Sequence, residues 1–262
     1  MANSQGIAVI TGASAGIGAV YAERLAARGY DLLLVARRLD RLTDLQARLA
    51  HDHGAVIGTM AADLENPADL AKLEDRIAAE DIAFLVNNAG AGGLGKTADA
   101  TAEQLERIVR LNITALTRLS HAALASFRGR ESGALVNIGS MMAHSPSPAG
   151  AVYSGSKAYV MNFTRSLQLE YRDQPIRIQL VMPGPIRTEF FSSQGMNESV
   201  FPAESYLSAE QLVDATFAGL DAGEPVTVPS MLDLQPWNDL EAARTEFVTS
   251  VMSGQVAPRY RS

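Results

Sequence analysis

Apolar residues follow two rhythms along this chain. Short apolar runs read as buried strands over Gly6 to Thr11, Asp31 to Ala36, Ala55 to Met60, Ile82 to Val86, Ala134 to Gly139 and Ile176 to Met182, with a last short one over Val226 to Val228. Between them the apolar positions move to helical spacing. Val20, Leu25 and Ala26 face one side after the first strand, Glu23, Arg24 and Arg28 the other, and Gly29 closes the turn. Further helices are predicted over Leu39 to Ala50, Thr101 to Ser126, Tyr153 to Tyr171, Ala209 to Asp221 and Leu240 to Val251. Thr101-Ala-Glu103-Gln104 gives one of them a capping-box start. Strands alternate with helices, and no repeat, low-complexity tract or linker intervenes. That pattern predicts a doubly wound parallel α/β sheet in a single domain over 1–262. Two stretches lack a clear period. Residues 189–207 read as a flap over a substrate, and 229–262 as a segment that closes the pocket or packs on another subunit.

The candidate chemistry lies where strands end. Thr11-Gly12-Ala-Ser14-Ala15-Gly16-Ile17-Gly18 joins the first strand to the first helix. Glycines here let backbone approach a phosphate, and the helix N-terminus offers free N–H groups to it. The spacing G-x-x-x-G-x-G differs from the G-x-G-x-x-G fingerprint. At the tip of the second strand, Ala36 stands where an acid would bind a ribose 2′-hydroxyl, and Arg37 and Arg38 follow. Arginine there suits a 2′-phosphate and favours NADP(H) over NAD(H). For Arg38 and Arg41 a solvated helix start competes with that reading. Asp63-Leu64 either reaches an adenine amino group or caps a helix before Pro67. Asn87-Asn88-Ala89-Gly90 follows the fourth strand, where the two amides are expected to bond backbone locally and hold the loop.

Asn112 interrupts a run of good helix formers on the apolar stripe of Ile108, Leu111, Ala115 and Leu116, so burial with polar partners is expected. Ser140 ends the fifth strand, and Tyr153 and Lys157 lie four apart on one helix face. An ammonium beside a phenol favours the phenolate and is expected to lower its pKa, giving an acid/base pair with Ser140 to orient an oxygen. Tyr-x-x-x-Lys alone equally describes a packed ring under a solvated amine. Met141, Met142, Val152 and Phe190 are candidate pocket residues, and His144 reads as a loop histidine without a role. Pro183-Gly184-Pro-Ile186-Arg-Thr188 makes a stiff loop in which Thr188 can bond a cofactor.

Composition narrows the class. The 262 residues carry a formal charge of -7, which argues against nucleic acid and gives no basic membrane patch. No cysteine is present, which excludes disulfides and thiolate chemistry. His51-Asp52-His53 ends a helix and has no further ligand cluster near it in sequence, so no metal is expected. The N-terminus lacks a signal-peptide pattern, and no run reaches membrane-spanning length. The expectation is a cytoplasmic protein with a small-molecule partner.

Taken in order, Thr11 to Gly18, Asn87-Asn-Ala-Gly90, Asn112, Ser140, Tyr153-Ser-Gly-Ser-Lys157 and Pro183-Gly184 resemble the motifs of the short-chain dehydrogenase/reductase family over most of the chain. The resemblance implies a seven-stranded Rossmann-like sheet, NAD(P)(H)-dependent interconversion of a carbonyl and an alcohol, and a homodimer or homotetramer. It implies Tyr153 as general acid/base, Ser140 orienting the substrate oxygen, and Lys157 lowering the Tyr153 pKa and binding the nicotinamide ribose. Asn112 would hold a water in a proton relay, and Arg37 resembles the family's arginine after the second strand. Some NADP-preferring members carry a basic residue in the glycine loop where this chain has Ala15, so phosphate recognition would rest on Arg37, Arg38 and Ser14.

Overall fold

The computed structural model describes residues 4–93, 95–193 and 201–261. The strands are β1 (Ile7–Thr11), β2 (Asp31–Ala36), β3 (Ile57–Ala61), β4 (Ile82–Asn87), β5 (Gly133–Ile138), β6 (Ile176–Val181), β7 (Ile186–Arg187), β8 (Leu207–Ser208) and β9 (Val226–Thr227). The helices are α1 (Gly16–Ala27), α2 (Leu39–His53), α3 (Pro67–Ala79), α4 (Ala102–Val109), α5 (Leu116–Arg130), α6 (Ala151–Glu170), α7 (Phe190–Ser193), α8 (Ala209–Asp221) and α9 (Gln235–Ser250). Seven strands form one sheet in the order β3-β2-β1-β4-β5-β6-β9, and every pairing in it is parallel. The order reverses beside β1, so the crevice between the carboxyl ends of β1 and β4 is where such a sheet takes a ligand.

Helices cover both faces. Tyr21 and Leu25 of α1, Leu42 and Leu49 of α2 and Leu212 and Phe217 of α8 join one apolar cluster. Leu70, Leu73 and Ile77 of α3, Leu119 and Phe127 of α5 and Leu167 of α6 join the other. Being buried on both faces, the strands read as continuous apolar runs rather than as alternation.

A few elements depart from the sequence reading. The span from Thr101 runs on to Arg130 and is not one α-helix: residues Arg110–Ala115 form a π-helical turn between α4 and α5. The Thr101 capping box is present. Asn66, not Asp63, caps α3: its side chain accepts from Ala68 N and Asp69 N. Asp63 instead accepts from Glu65 N at 3.0 Å in a local turn. Within the 189–207 flap, residues 194–200 lie outside the described residues. The rest is more ordered than its lack of period suggested: α7 follows Thr188, and β8 pairs with β7 in a small parallel sheet.

The chain divides into two compact units, 1–229 and 230–262. The second contains α9, which starts five residues before the expected Leu240 and has no buried residue. Among the described residues, no helix is long and apolar enough to cross a membrane.

Candidate active site

The glycine turn is built for an anion. Gly12 and Gly16 take φ of +69° and +53°, a region that a side chain disfavours. A Cβ on Gly18 would stand 2.4 Å from the Gly12 carbonyl oxygen, so only glycine lets α1 start this close to the turn. Ala15 precedes α1 without a side-chain cap, and no acid lies in its first turn. The helix N-terminus is thus left with N–H groups and a partial positive charge for a phosphate. Ile17 packs behind it against the core.

Thr11 holds this turn to the neighbouring loop. Its hydroxyl donates to Val86 O and accepts from Asn88 N and Ala89 N. Asn88 Nδ2 returns the contact to Thr11 O at 2.9 Å and Gly12 O at 3.4 Å. The Asn pair therefore does not bond locally as expected. Asn88 ties two loops together, while Asn87 is buried and donates to Leu116 O, Ser120 Oγ and Asn137 Oδ1. Asn137 in turn donates to Thr164 Oγ1 on α6. This chain of buried amides links β4, β5, α5 and α6 directly beneath the site.

Asn112 is 2% exposed, as its place on the apolar stripe predicted. Its Oδ1 accepts from Ala91 N at 2.8 Å, and its Nδ2 donates to Ala91 O at 2.8 Å and Ser156 Oγ at 3.0 Å. Ser156 Oγ donates to Tyr153 O at 2.7 Å. The Asn112 side chain is thus a staple from the loop after β4 to the backbone of the acid/base tyrosine. Replacing Asn112 by alanine leaves Ala91 N and O buried without these partners. The expected cost is about 2–4 kcal/mol, or a melting temperature lower by roughly 5–10 °C. Thermal denaturation with and without bound cofactor checks it.

Ser140, Tyr153 and Lys157 come together at the carboxyl end of β5 and the start of α6. Ser140 Oγ accepts from Met142 N at 3.1 Å and bonds the Tyr153 phenol. Lys157 is buried, donates to Ile138 O at 2.9 Å, and lies 5.8 Å from the Tyr153 ring centroid. The amine is therefore not a solvated group over a packed ring. The direction of the phenol shift is the reverse of the one expected. Burial pushes Tyr153 up, with the Ser140 hydrogen bond pulling the other way. Burial likewise brings Lys157 down from 10.5 to about 8. Desolvation disfavours the charged form of each. The site at neutral pH thus holds a protonated phenol next to an easily deprotonated amine.

Of the pocket candidates, Phe190 lies against Tyr153, with ring centroids 6.1 Å apart. Phe191, Phe201 and Tyr206 extend this aromatic group. Val152 lines a cavity of about 350 Å³ with Ala91, Gly93, Ile108 and Gly150. Met141 and Met142 form a 3-10 turn after Ser140 outside that cavity's lining. Gly90 lies against Asn112 and Lys157. Pro183 O accepts from Met141 N, and Leu64 and Ile186 are buried. Thr188 stands over the glycine turn: a Cβ on Gly16 would meet its methyl at 3.1 Å.

At the tip of β2 the arginines separate. Arg37 is exposed and has no hydrogen bond or ion pair to a described residue. Arg38 donates to Ser14 Oγ through Nε at 3.3 Å and Nη2 at 3.1 Å, and to Glu189 Oε2 through Nη1 at 3.0 Å. Arg41 donates to Glu189 Oε1 at 2.7 Å. Glu189 was missed by the sequence reading, and only the fold brings it to the arginines, since it follows them by about 150 positions.

A doubly wound sheet, a glycine cradle at its switch point and a buried Ser-Tyr-Lys set beside it define a dinucleotide-dependent redox protein. Residues 6–199 match the model of the short chain dehydrogenase family, and the chain belongs to it. Very-long-chain 3-oxoacyl-CoA reductase-A of Danio rerio is 32% identical over 207 residues, covering 78% of this chain and 65% of that protein. The chain thus spans just under two thirds of that curated relative. A short-chain dehydrogenase from Sphingobium yanoikuyae in complex with NADPH is 40% identical, with a TM-score of 0.94 over 98% of this chain and 100% of that one. The bulky-bulky ketone specific alcohol dehydrogenase of Comamonas testosteroni is 36% identical, with a TM-score of 0.90 over 99% and 100%.

Proposed function

We propose that this protein is an NADP(H)-dependent oxidoreductase that reduces a ketone flanked by apolar groups to the secondary alcohol. The observation that carries the reading is the assembly of Ser140, Tyr153 and buried Lys157, with the Phe190 ring against that of Tyr153. Bound in the cradle, the cofactor would supply the hydride. Ser140 and Tyr153 donate hydrogen bonds to the carbonyl oxygen, and Tyr153 gives up its proton as the alkoxide forms. A phenol that stays protonated at neutral pH is in the state reduction needs. Lys157, drawn close behind it, stabilises the phenolate left after transfer. The aromatic group around Phe190 suits apolar substituents, and the likeness to a bulky-ketone enzyme supports the same choice.

The groups present fit NADP(H). The bond from Arg38 to Ser14 in the glycine turn, with Arg37 beside it at the end of β2, supports recognition of a 2′-phosphate, and so does the phosphorylated cofactor of the Sphingobium yanoikuyae relative. Gly12 to Gly18 would hold the pyrophosphate and Thr188 the cofactor amide or phosphate. The test follows NADPH and NADH consumption with ketones, diketones and aldehydes. Arg38→Ala is expected to raise the NADPH KM about tenfold and leave that for NADH unchanged. Consumption of neither cofactor with any of these substrates counts against the reading. A cytoplasmic homodimer or homotetramer belongs to the same proposal, and light scattering of the purified chain measures the assembly.

A further inference from the structure

The arginines at the tip of β2 already hold an anion supplied by the chain itself. The Glu189 carboxylate bridges Arg38 and Arg41, and the same Arg38 guanidinium is bonded to Ser14 in the glycine turn. Glu189 adjoins Thr188, whose methyl faces Gly16, and Phe190, whose ring lies against Tyr153. One tripeptide therefore touches the cradle, the arginine pair and the catalytic phenol. The three charged side chains are 43%, 42% and 52% exposed. Ion pairs this open to water are weak and exchangeable, whereas a phosphate dianion offers two arginines more charge and more acceptor oxygens than a carboxylate.

We propose that Glu189 is an internal competitor for the 2′-phosphate of the cofactor: it occupies the Arg38–Arg41 pair and must leave it when a 2′-phosphorylated nucleotide binds. The inference rests on the NADP(H) reading above. Glu189 sets the threshold for cofactor choice: it weakens 2′-phosphorylated ligands and leaves the others untouched. By keeping the arginines paired, it also prevents them from lying bare next to the cradle.

The test is calorimetric titration of the full chain with NADPH, NADH, 2′-AMP and 5′-AMP, which needs no turnover. Glu189→Gln is expected to tighten NADPH and 2′-AMP by about three- to tenfold, the size of one or two exposed ion pairs. NADH and 5′-AMP should be unchanged, and the gain should vanish in the double variant Arg38→Ala/Glu189→Gln. Glu189→Asp, with a shorter reach to the arginines, should fall between. Melting curves without ligand establish that each variant is folded. If Arg38→Ala weakens NADPH but Glu189→Gln leaves NADPH and 2′-AMP unchanged or weaker, the cofactor reading stands and the competitor role is wrong. If wild-type protein prefers NADH and Arg38→Ala changes nothing, both fall together.

Discussion

Replacing Tyr153 by phenylalanine is expected to lower kcat for ketone reduction by about a thousandfold, within the range for loss of a positioned general acid. That corresponds to about 4 kcal/mol of transition-state stabilisation. The affinity for NADPH should stay within about twofold, because the ring keeps its place against Phe190 and only the hydroxyl is lost. A steady-state assay and a fluorescence titration of the same sample measure the two quantities. Turnover near the wild-type level would remove Tyr153 from the chemistry. Loss of cofactor binding with turnover would instead show that the variant disturbed the fold of the site. Ser156 makes that second result unexpected, since its bond is to the Tyr153 carbonyl and survives the change.

The second large effect belongs to Lys157. Its folded pKa is about 8 against an ordinary 10.5. Between those values the unfolded chain binds more protons than the folded one, so stability rises with pH across that window. The full span is worth about 3 kcal/mol as an order of magnitude. Lys157→Met should flatten the profile and raise stability most at pH below about 8, where the wild type keeps a buried charge. Burial raises Tyr21 and Tyr153 above the ordinary phenol value, and they act in the opposite sense once the pH passes about 10. Denaturant unfolding between roughly pH 7 and 9.5 therefore isolates the lysine. The same variant should lose about a hundredfold or more in kcat, since among the described residues Lys157 is the one buried cation that could stabilise the phenolate. A stable, active Lys157→Met protein with an unchanged pH profile would refute both the burial argument and the catalytic one.

Much of this was legible in the sequence for a simple reason. In a sheet covered on both faces every strand is an apolar run, so the carboxyl end of each can be read along the chain. The glycine turn, Asn88, Ser140, Tyr153 and Lys157 therefore declare themselves by position along the chain. Burial of Asn112 could be read from its apolar flanks. What stayed hidden depends on which distant residues the fold brings together. Sequence alone counted the charge of Lys157 and could not count its dehydration, so the predicted direction for Tyr153 was wrong. The partners of Asn87 lie on β5 and α5, and an amide within an apolar strand was the only available sign of them. Glu189 follows Thr188 in a stretch without period, and nothing there marks it as the partner of Arg38 and Arg41.

The π-helical turn over Arg110–Ala115 gives the helix an editable register. A wider turn accommodates one residue more than an α-helix would, and such turns gather at functional sites. Because the wider turn already takes up that residue, removing one from 110–115 would let α4 and α5 join as one regular helix while the faces on either side keep their directions. The change would fall on the turn itself, which carries Asn112 and its bonds to Ala91. The position of one amide in this protein is thus set by a miscount in the helix as much as by the amide's own chemistry.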